Sequence, residues 1–302
     1  MRVNWGTLTV LLGLILCCAQ NVCAQRHTTI TFVDQSSEGD LRGAYEKELL
    51  TLALDLTERE FGTYTLIPAP QGITNSRARE NMKKERYHNF IRGFAYRHSL
   101  SKDPSMRFID FPIYLGLLSY RVCFTSEKVA PELAQVVNFR DLLKYSHVQG
   151  VGWLDNRILR RAGFSVVEVA NYEALFEIAG INRANLFCRG LNEYLTELKT
   201  HQDVKGLVLD ESFALYYPFP VYFHAHVKDV ELLNRVELGL AEAYQNGSMM
   251  DLWERHFLEG ITYAQLSKRK VFKLENHMLK GVDNYHEQFF FRPQGVTFIP
   301  TR

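Results

Sequence analysis

In the run "NLFCRGLNEYL", residues 185–195, Arg189 ends an apolar stretch and Glu193 follows one helical turn later. A strand that finishes in arginine presents a planar guanidinium, which takes a carboxylate or phosphate through two parallel hydrogen bonds. Similar chemistry stands at other strand ends. Gln35 follows "TTITFVD", Arg97 and Ser99 follow "NFIRGFAY", Trp153 and Asp155 follow "HVQGVG", and Tyr172 follows "FSVVEVAN". In open α/β sheets, ligands bind beyond the carboxyl ends of the strands, where loops and helix starts offer free N–H groups. Charged groups mixed with aromatic ones suit a small polar solute. Arg77 in "ITNSRARE" opens a helix, where the dipole disfavours a cation, and so points to an acidic partner, either ligand or protein. Two readings of Arg189 stay open: a clamp for an acidic solute, or an ion pair with Glu193 or Asp155 that organises the site.

Other chemistries are less well supplied. There is no GxSxG or HExxH motif, and neither Cys123 nor Cys188 sits in a Cys-His arrangement, so a nucleophilic hydrolase is not expected. A dehydratase needs little beyond a general acid and base, which Asp155, Glu173 or Glu193 can supply, and it stands as the alternative to simple binding. His224 and His226 lie two apart on a strand and hence on one face. No third and fourth ligands accompany them at suitable spacing, so neither a metal site nor a cofactor is expected.

The elements that position these residues follow from periodicity. "TTITFVD" (28–34) is a β-branched strand, and "AYEKELLTLALDLTERE" (44–60) repeats apolar residues at helical spacing through Tyr45, Leu49, Leu52 and Leu56. The strand "YTLIPAP", the polar helix "NSRARENMKKE" and the strand "NFIRGFAYR" complete a β-α-β-α-β run over 28–97. After "FPIYLGLLSYRVCFTSE" (111–127) the same grammar repeats. "FRDLLKY", "NRILRRAG" and "YEALFEIAG" are helices between the strands "HVQGVGW", "FSVVEVA" and "ANLFCRG". A return strand, "FPVYFHAHV" (219–227), leads into the helix "VELLNRVELGLAEAYQ" (230–245). Asn246-Gly247-Ser248 ends that helix and caps the next one, "MMDLWERHF".

Residues 1–24 read as a cleaved secretory signal: Arg2, the apolar stretch Leu8 to Leu16, and the small-residue site Val22-Cys23-Ala24. A lipid-modified cysteine wants a small residue before it, whereas Leu16 and Val22 precede Cys17 and Cys23. No later segment has the apolar length of a membrane span, so an exported periplasmic protein is expected. Removing Arg2 from 35 basic residues leaves 34 against 34 acidic ones. That neutrality argues against nucleic acid and an anionic membrane, and for a small-molecule or protein partner. Of the five cysteines, Cys123 and Cys188 remain, in a compartment where thiols can pair. A mature chain of 278 residues, 302 less 24, is long enough for two lobes.

The runs "FPIYLGLLSYRVCF", "YEALFEIAGINRANLFCRGLNEYL" and "YYPFPVYFHAHVKDVELLNRVELGLAEAYQNGSMMDLWERHF", with the tail "LSKRKVFKLENHML", resemble bacterial extracellular solute-binding proteins of family 3, in a divergent branch without an assigned solute. The resemblance covers nearly the whole mature chain. It implies the type II periplasmic-binding-protein fold: two α/β lobes, each a mixed sheet flanked by helices, joined by a two-segment hinge, with ligand clamped between them. The expected lobes are 25–119 with 219–302, and 120–218. The implied function is a monomeric solute-binding protein that closes on a small polar, acidic or amino-acid-like ligand and presents it to a membrane permease or sensor.

Within that fold the expected ligand contacts are Gln35, Arg77, Arg97, Ser99, Tyr114, Trp153, Tyr172, Arg189 and Glu193. Tyr114 marks the first crossing and Tyr216 and Tyr217 the second, where aromatic residues serve hinge packing or ligand contact equally well. In amino-acid binders of this fold, the strand end held here by Arg189 carries an aspartate for the ligand's α-ammonium. The reversed charge implies an acidic solute gripped by Arg189 and Arg97, with Trp153 or Tyr172 against its apolar part. The same topology sets the Cys123 and Cys188 strands side by side, which leaves a disulfide and two buried thiols both open.

Overall fold

The computed structural model describes residues 26–34, 42–280 and 284–301. The expected signal, 1–24, and the expected contact Gln35 lie outside the described residues. Among the described residues the strands are β1 (His27–Phe32), β2 (Thr63–Pro68), β3 (Phe90–Ala95), β4 (Met106–Phe108), β5 (Tyr120–Ser126), β6 (His147–Gly150), β7 (Val166–Val169), β8 (Phe187–Gly190), β9 (Leu207–Leu209), β10 (Phe213–Tyr216), β11 (Val221–His226), β12 (Lys270–Lys273) and β13 (Phe298–Pro300).

Two sheets organise them. The first has the order β2-β1-β3-β11-β4, with β1 parallel to β2 and β3, and β11 antiparallel to β3 and β4. The second has the order β13-β12-β10-β5-β8, with β9 also paired to β5. The parallel pair β6-β7 reaches it through a bridge between His147 and Leu186. Alternating strands and helices in each half build this mixed α/β architecture, as the periodicity implies.

In the helix Arg42–Leu56 the buried face is broader than the stripe read from sequence. Tyr45 and Leu49 are buried as expected, but Leu50, Ala53 and Leu54 are buried too, while Leu52 and Leu56 are only partly covered. The cause is a second neighbour, the helix Val230–Gln245, which approaches so closely that a Cβ on Gly239 would fall 2.1 Å from the Ala53 carbonyl oxygen. That helix closes on Asn246 with Gly247 in the left-handed region at φ 87°, where glycine pays no steric penalty. Among the described residues, no helix is long and apolar enough to cross a membrane.

The two expected crossings lie side by side. Tyr217 N donates to Ser119 O at 3.0 Å, Phe219 N donates to Ser119 Oγ at 3.0 Å, and Tyr216 faces Tyr120 across the β10–β5 pair. A third passage was not read from sequence. After the helix Ser248–Ala264 the chain enters β12, which pairs in parallel with β10, and β13 then extends the sheet. Residues 270–273 and 298–300 therefore belong to the second sheet, although the expected boundary grouped 219–302 with the first lobe. The physical reason is that the edge of β10 away from β5 offers unpaired backbone groups. Arg269 fixes the entry by donating from Nε to Ala264 O at 2.6 Å and from Nη1 to Phe213 O at 3.1 Å.

Cys123 and Cys188 face each other in the β5–β8 register and are joined by a disulfide, with a sequence separation of 65. Mass spectrometry of the unreduced mature protein should find no alkylatable thiol; two would refute the bond. Replacing both cysteines with alanine should lower unfolding free energy by about 2–5 kcal/mol.

His147 lies against this bridge, its Nδ1 3.6 Å from Cys188 Sγ. Burial pushes its pKa down to about 3, and burial also pushes His224 down to about 4. Both are bases whose folded pKa lies below the unfolded value near 6.5, so the unfolded chain binds more protons as pH falls. Stability should be full above about pH 7 and drop by roughly 2 kcal/mol per histidine by pH 5, before carboxylates titrate. Chemical denaturation across pH 5–8 should show this slope, and His147→Gln should remove about half of it.

Candidate functional site

The carboxyl end of β8 delivers Arg189 into a compact electrostatic cluster. Its side chain is only 4% exposed. Nε donates to both Glu197 oxygens at 3.1 and 2.9 Å, and Nη2 to Glu197 Oε1 at 2.7 Å, while Nη2 also lies 2.9 Å from Glu193 Oε2. Burial works against its charge, but Glu193 and Glu197 outweigh burial and hold it ionised. The guanidinium also stands 4.6 Å from the Trp153 ring, 5.1 Å from Phe187 and 5.8 Å from Tyr172. Tyr172 donates its hydroxyl to Glu197 Oε1.

Local sequence explains this assembly. Glu193 precedes the helix Tyr194–Thr200, placing its own carboxylate and that of Glu197 on the side facing β8. Trp153 precedes the helix Leu154–Ala162 and closes over Gly150, where a Cβ would meet the indole at 2.3 Å. Of the expected set, the fold thus brings together Trp153, Tyr172, Arg189 and Glu193. Of the two readings of Arg189, the pairing with Glu193 is present, and Glu197 joins it.

Asp155 is not Arg189's direct partner. It accepts from Arg121 Nε at 3.0 Å and from the Tyr217 hydroxyl at 2.6 Å. Burial raises its pKa, but Arg121 and Tyr217 outweigh burial and hold it below the ordinary carboxylate value. Arg121 also donates to Leu118 O, and its guanidinium stacks 4.7 Å from Phe219 and 5.1 Å from Tyr217. This buried pair therefore touches both crossing segments and the start of a cleft helix. Arg121, Glu197 and Tyr217's hydroxyl were not among the expected site residues. The signal for Arg121 was a charge inside the apolar run "LLSYRVCF", where a buried cation requires a partner.

The remaining expected residues sit elsewhere. Tyr114 is buried, its hydroxyl donating to Glu46 Oε1 at 3.1 Å and its carbonyl accepting from Trp253 Nε1 at 3.1 Å, which packs it against the helices Arg42–Leu56 and Ser248–Ala264. Arg77 is exposed in the first turn of the helix Asn75–Lys83, its backbone N–H capped by Thr74 Oγ1. Arg97 is half-buried immediately after β3, and Ser99 is exposed in the short helix His98–Ser101. His224 Nδ1 lies 2.8 Å from Tyr222 O, and among the described residues no group of three or more His, Cys, Asp or Glu could hold a metal.

No family model and no curated protein matches the sequence. Solved structures do. An ancestral amino-acid-binding protein, a precursor of cyclohexadienyl dehydratase, is 13% identical with a TM-score of 0.51, covering 78% of this chain and 97% of that one. A periplasmic binding protein of Salmonella typhimurium with high arginine specificity is 12% identical with a TM-score of 0.53, covering 77% and 99%. A histidine kinase sensor domain with similarity to periplasmic binding proteins is 14% identical with a TM-score of 0.52, covering 77% and 96%. At such identities the likeness shows the fold, which is that of the type II periplasmic binding proteins.

Because Arg189 neutralises two buried carboxylates, Arg189→Ala should destabilise the ligand-free protein by about 3–5 kcal/mol. Urea unfolding measures this; an unchanged midpoint would show that the cluster tolerates losing its cation.

Proposed function

We propose, from the premise of a two-lobed binding-protein fold, that this chain is a periplasmic solute-binding protein. Its lobes close on a small polar solute bearing an acidic group, and the closed form engages a membrane transporter or sensor. The observation that supports this reading is the pair of adjacent crossings, tied through Ser119, that joins the two sheets. Two short parallel connections form a hinge, and a ligand touching both lobes shifts the equilibrium toward closure. The sensor-domain and transport-related neighbours are consistent with either downstream partner.

The acidic preference rests on cations rather than on a free carboxylate. Arg97 supplies a half-buried guanidinium at a strand end. Arg189 is already held by Glu193 and Glu197, so it organises the strand end, and an acidic solute would reach it only by displacing one of them. Trp153 and Tyr172 then border the solute's apolar part.

The dehydratase alternative needs an acid or base free to move a proton. Asp155 is bound by Arg121 and Tyr217, Glu193 faces Arg189, and Glu173 lies 2.8 Å from His201 Nε2. These partnerships favour binding over catalysis.

A thermal-shift panel of amino acids, small carboxylates and peptides should raise the melting point for an acidic member by mass action. Small-angle scattering with that compound at saturation should show a smaller radius of gyration. An unchanged radius would count against hinge closure, and turnover of the compound would favour the enzyme reading.

A further inference from the structure

The described part of the C-terminal tail, residues 287–301, lies against both crossings. Phe291 N donates to Leu115 O on the first crossing at 2.7 Å. Phe290 is buried beside Gly116, where a Cβ would fall 2.4 Å from its ring. Phe289 packs 4.8 Å from Phe111 and edge-on, at 5.1 Å, to Tyr244 of the helix Val230–Gln245, and Phe291 stands 5.2 Å from Trp253 of the helix Ser248–Ala264. The tail then passes to the second sheet, where β13 pairs with β12 and Thr301 Oγ1 donates to Lys273 O at 2.9 Å. There the Phe298 ring lies 4.6 Å from Tyr216 and 6.3 Å from Tyr120, one residue from each crossing strand.

The first crossing is bent where the tail holds it. Leu115 has φ 47° and Gly116 has φ 73°, so two successive residues occupy the left-handed region. Glycine enters that region freely, whereas a bulky residue such as leucine stays there only where its surroundings fix it. The hydrogen bond from Phe291 to the Leu115 carbonyl and the Phe290 ring against Gly116 supply such fixing contacts. The second crossing is held by the chain that leads to the tail: Leu274 N donates to Tyr216 O at 2.7 Å, and Asn276 Nδ2 donates to Pro218 O at 2.8 Å. Rotation at a hinge is absorbed by backbone changes in the connecting segments. Neither crossing can therefore turn without disturbing its contacts with this end of the chain.

We infer that the tail is a clasp on the hinge: the aromatic run Phe289–Phe291 and β13 hold the two crossings in one backbone conformation, and so regulate how readily the lobes move. This deepens the solute-binding reading and rests on it. Closure must either carry the clasp along or let Leu115 leave its left-handed conformation. The clasp thus adds to the free energy that a solute supplies by binding the closed form better than the open one. Aromatic contacts suit the task, because ring packing contributes through burial and edge-to-face geometry over several partners at once.

The test is hydrogen exchange of the mature protein without solute. Its probes are the amides of Leu117 and Ser119, which donate to Tyr114 O and Gly116 O, and those of Tyr217 and Phe219, which donate to Ser119. Phe298 is 38% exposed, so Phe298→Ser loosens β13 without opening a cavity in the core. It should raise exchange at these amides by at least about tenfold while the helices Arg42–Leu56 and Leu154–Ala162 keep wild-type rates. Phe290→Ala, which frees Gly116, should raise Leu117 and Ser119 most. Wild-type rates at the crossing amides in Phe298→Ser would overturn the clasp. So would a rise shared equally by both helices, since the tail would then only add to global stability. The measurement needs no solute, so either failure leaves the solute-binding reading standing, and that reading fails separately if no member of the ligand panel changes the radius of gyration.

Discussion

The guanidinium of Arg121 is the constraint on which the two-lobed arrangement depends. It is almost fully buried and ionised, so its charge must be met within the chain. Asp155 meets it at the start of the helix Leu154–Ala162, Leu118 O meets it on the first crossing, and Tyr217 stacks against it from the second. A single side chain therefore ties both connections to one wall of the cleft. Because a buried pair is far more costly to break than to keep, the crossings and that helix start hold a fixed relation to one another.

A similar logic governs the end of β8. Arg189 could look outward for a counterion, but the helix Tyr194–Thr200 supplies two, and Trp153 and Tyr172 cover the rest of the cation. The disulfide between β5 and β8 and the buried neutral His147 lie behind this cluster on the same strands. The second lobe is thus stiffened along its central strands, while the third passage into β12 adds a connection beside the hinge.

Much of this was legible in the sequence, for identifiable reasons. Strands with β-branched or alternating apolar residues, such as β1, β3 and β11, and helices stopped by Gly163 or Gly247 declare themselves through local periodicity and turn chemistry. The short strands β4, β9, β12 and β13 do not, because three or four residues carry too little period and their pairing is decided by distant edges. At the site, the ambiguity of Arg189 could be stated from sequence but not resolved. Glu193 was visible at helical spacing, whereas Glu197 lies one turn further and reaches back only because the chain breaks between strand and helix at Asn192 and Glu193.

Arg121 and Arg189 show how this molecule meets a buried cation with its own carboxylates. Where a guanidinium is needed to hold elements together, its counterion is built in, and a solute gains little by competing with a carboxylate already at hydrogen-bond distance. Where two lobes approach each other, a built-in counterion would hold them shut regardless of ligand. A cleft that must open and close on demand therefore has reason to leave charge for the solute to complete. Asp155, at the start of the helix Leu154–Ala162, illustrates the built-in case: it binds inward to Arg121 and to Tyr217 of the second crossing, and so fixes that helix start to the connections.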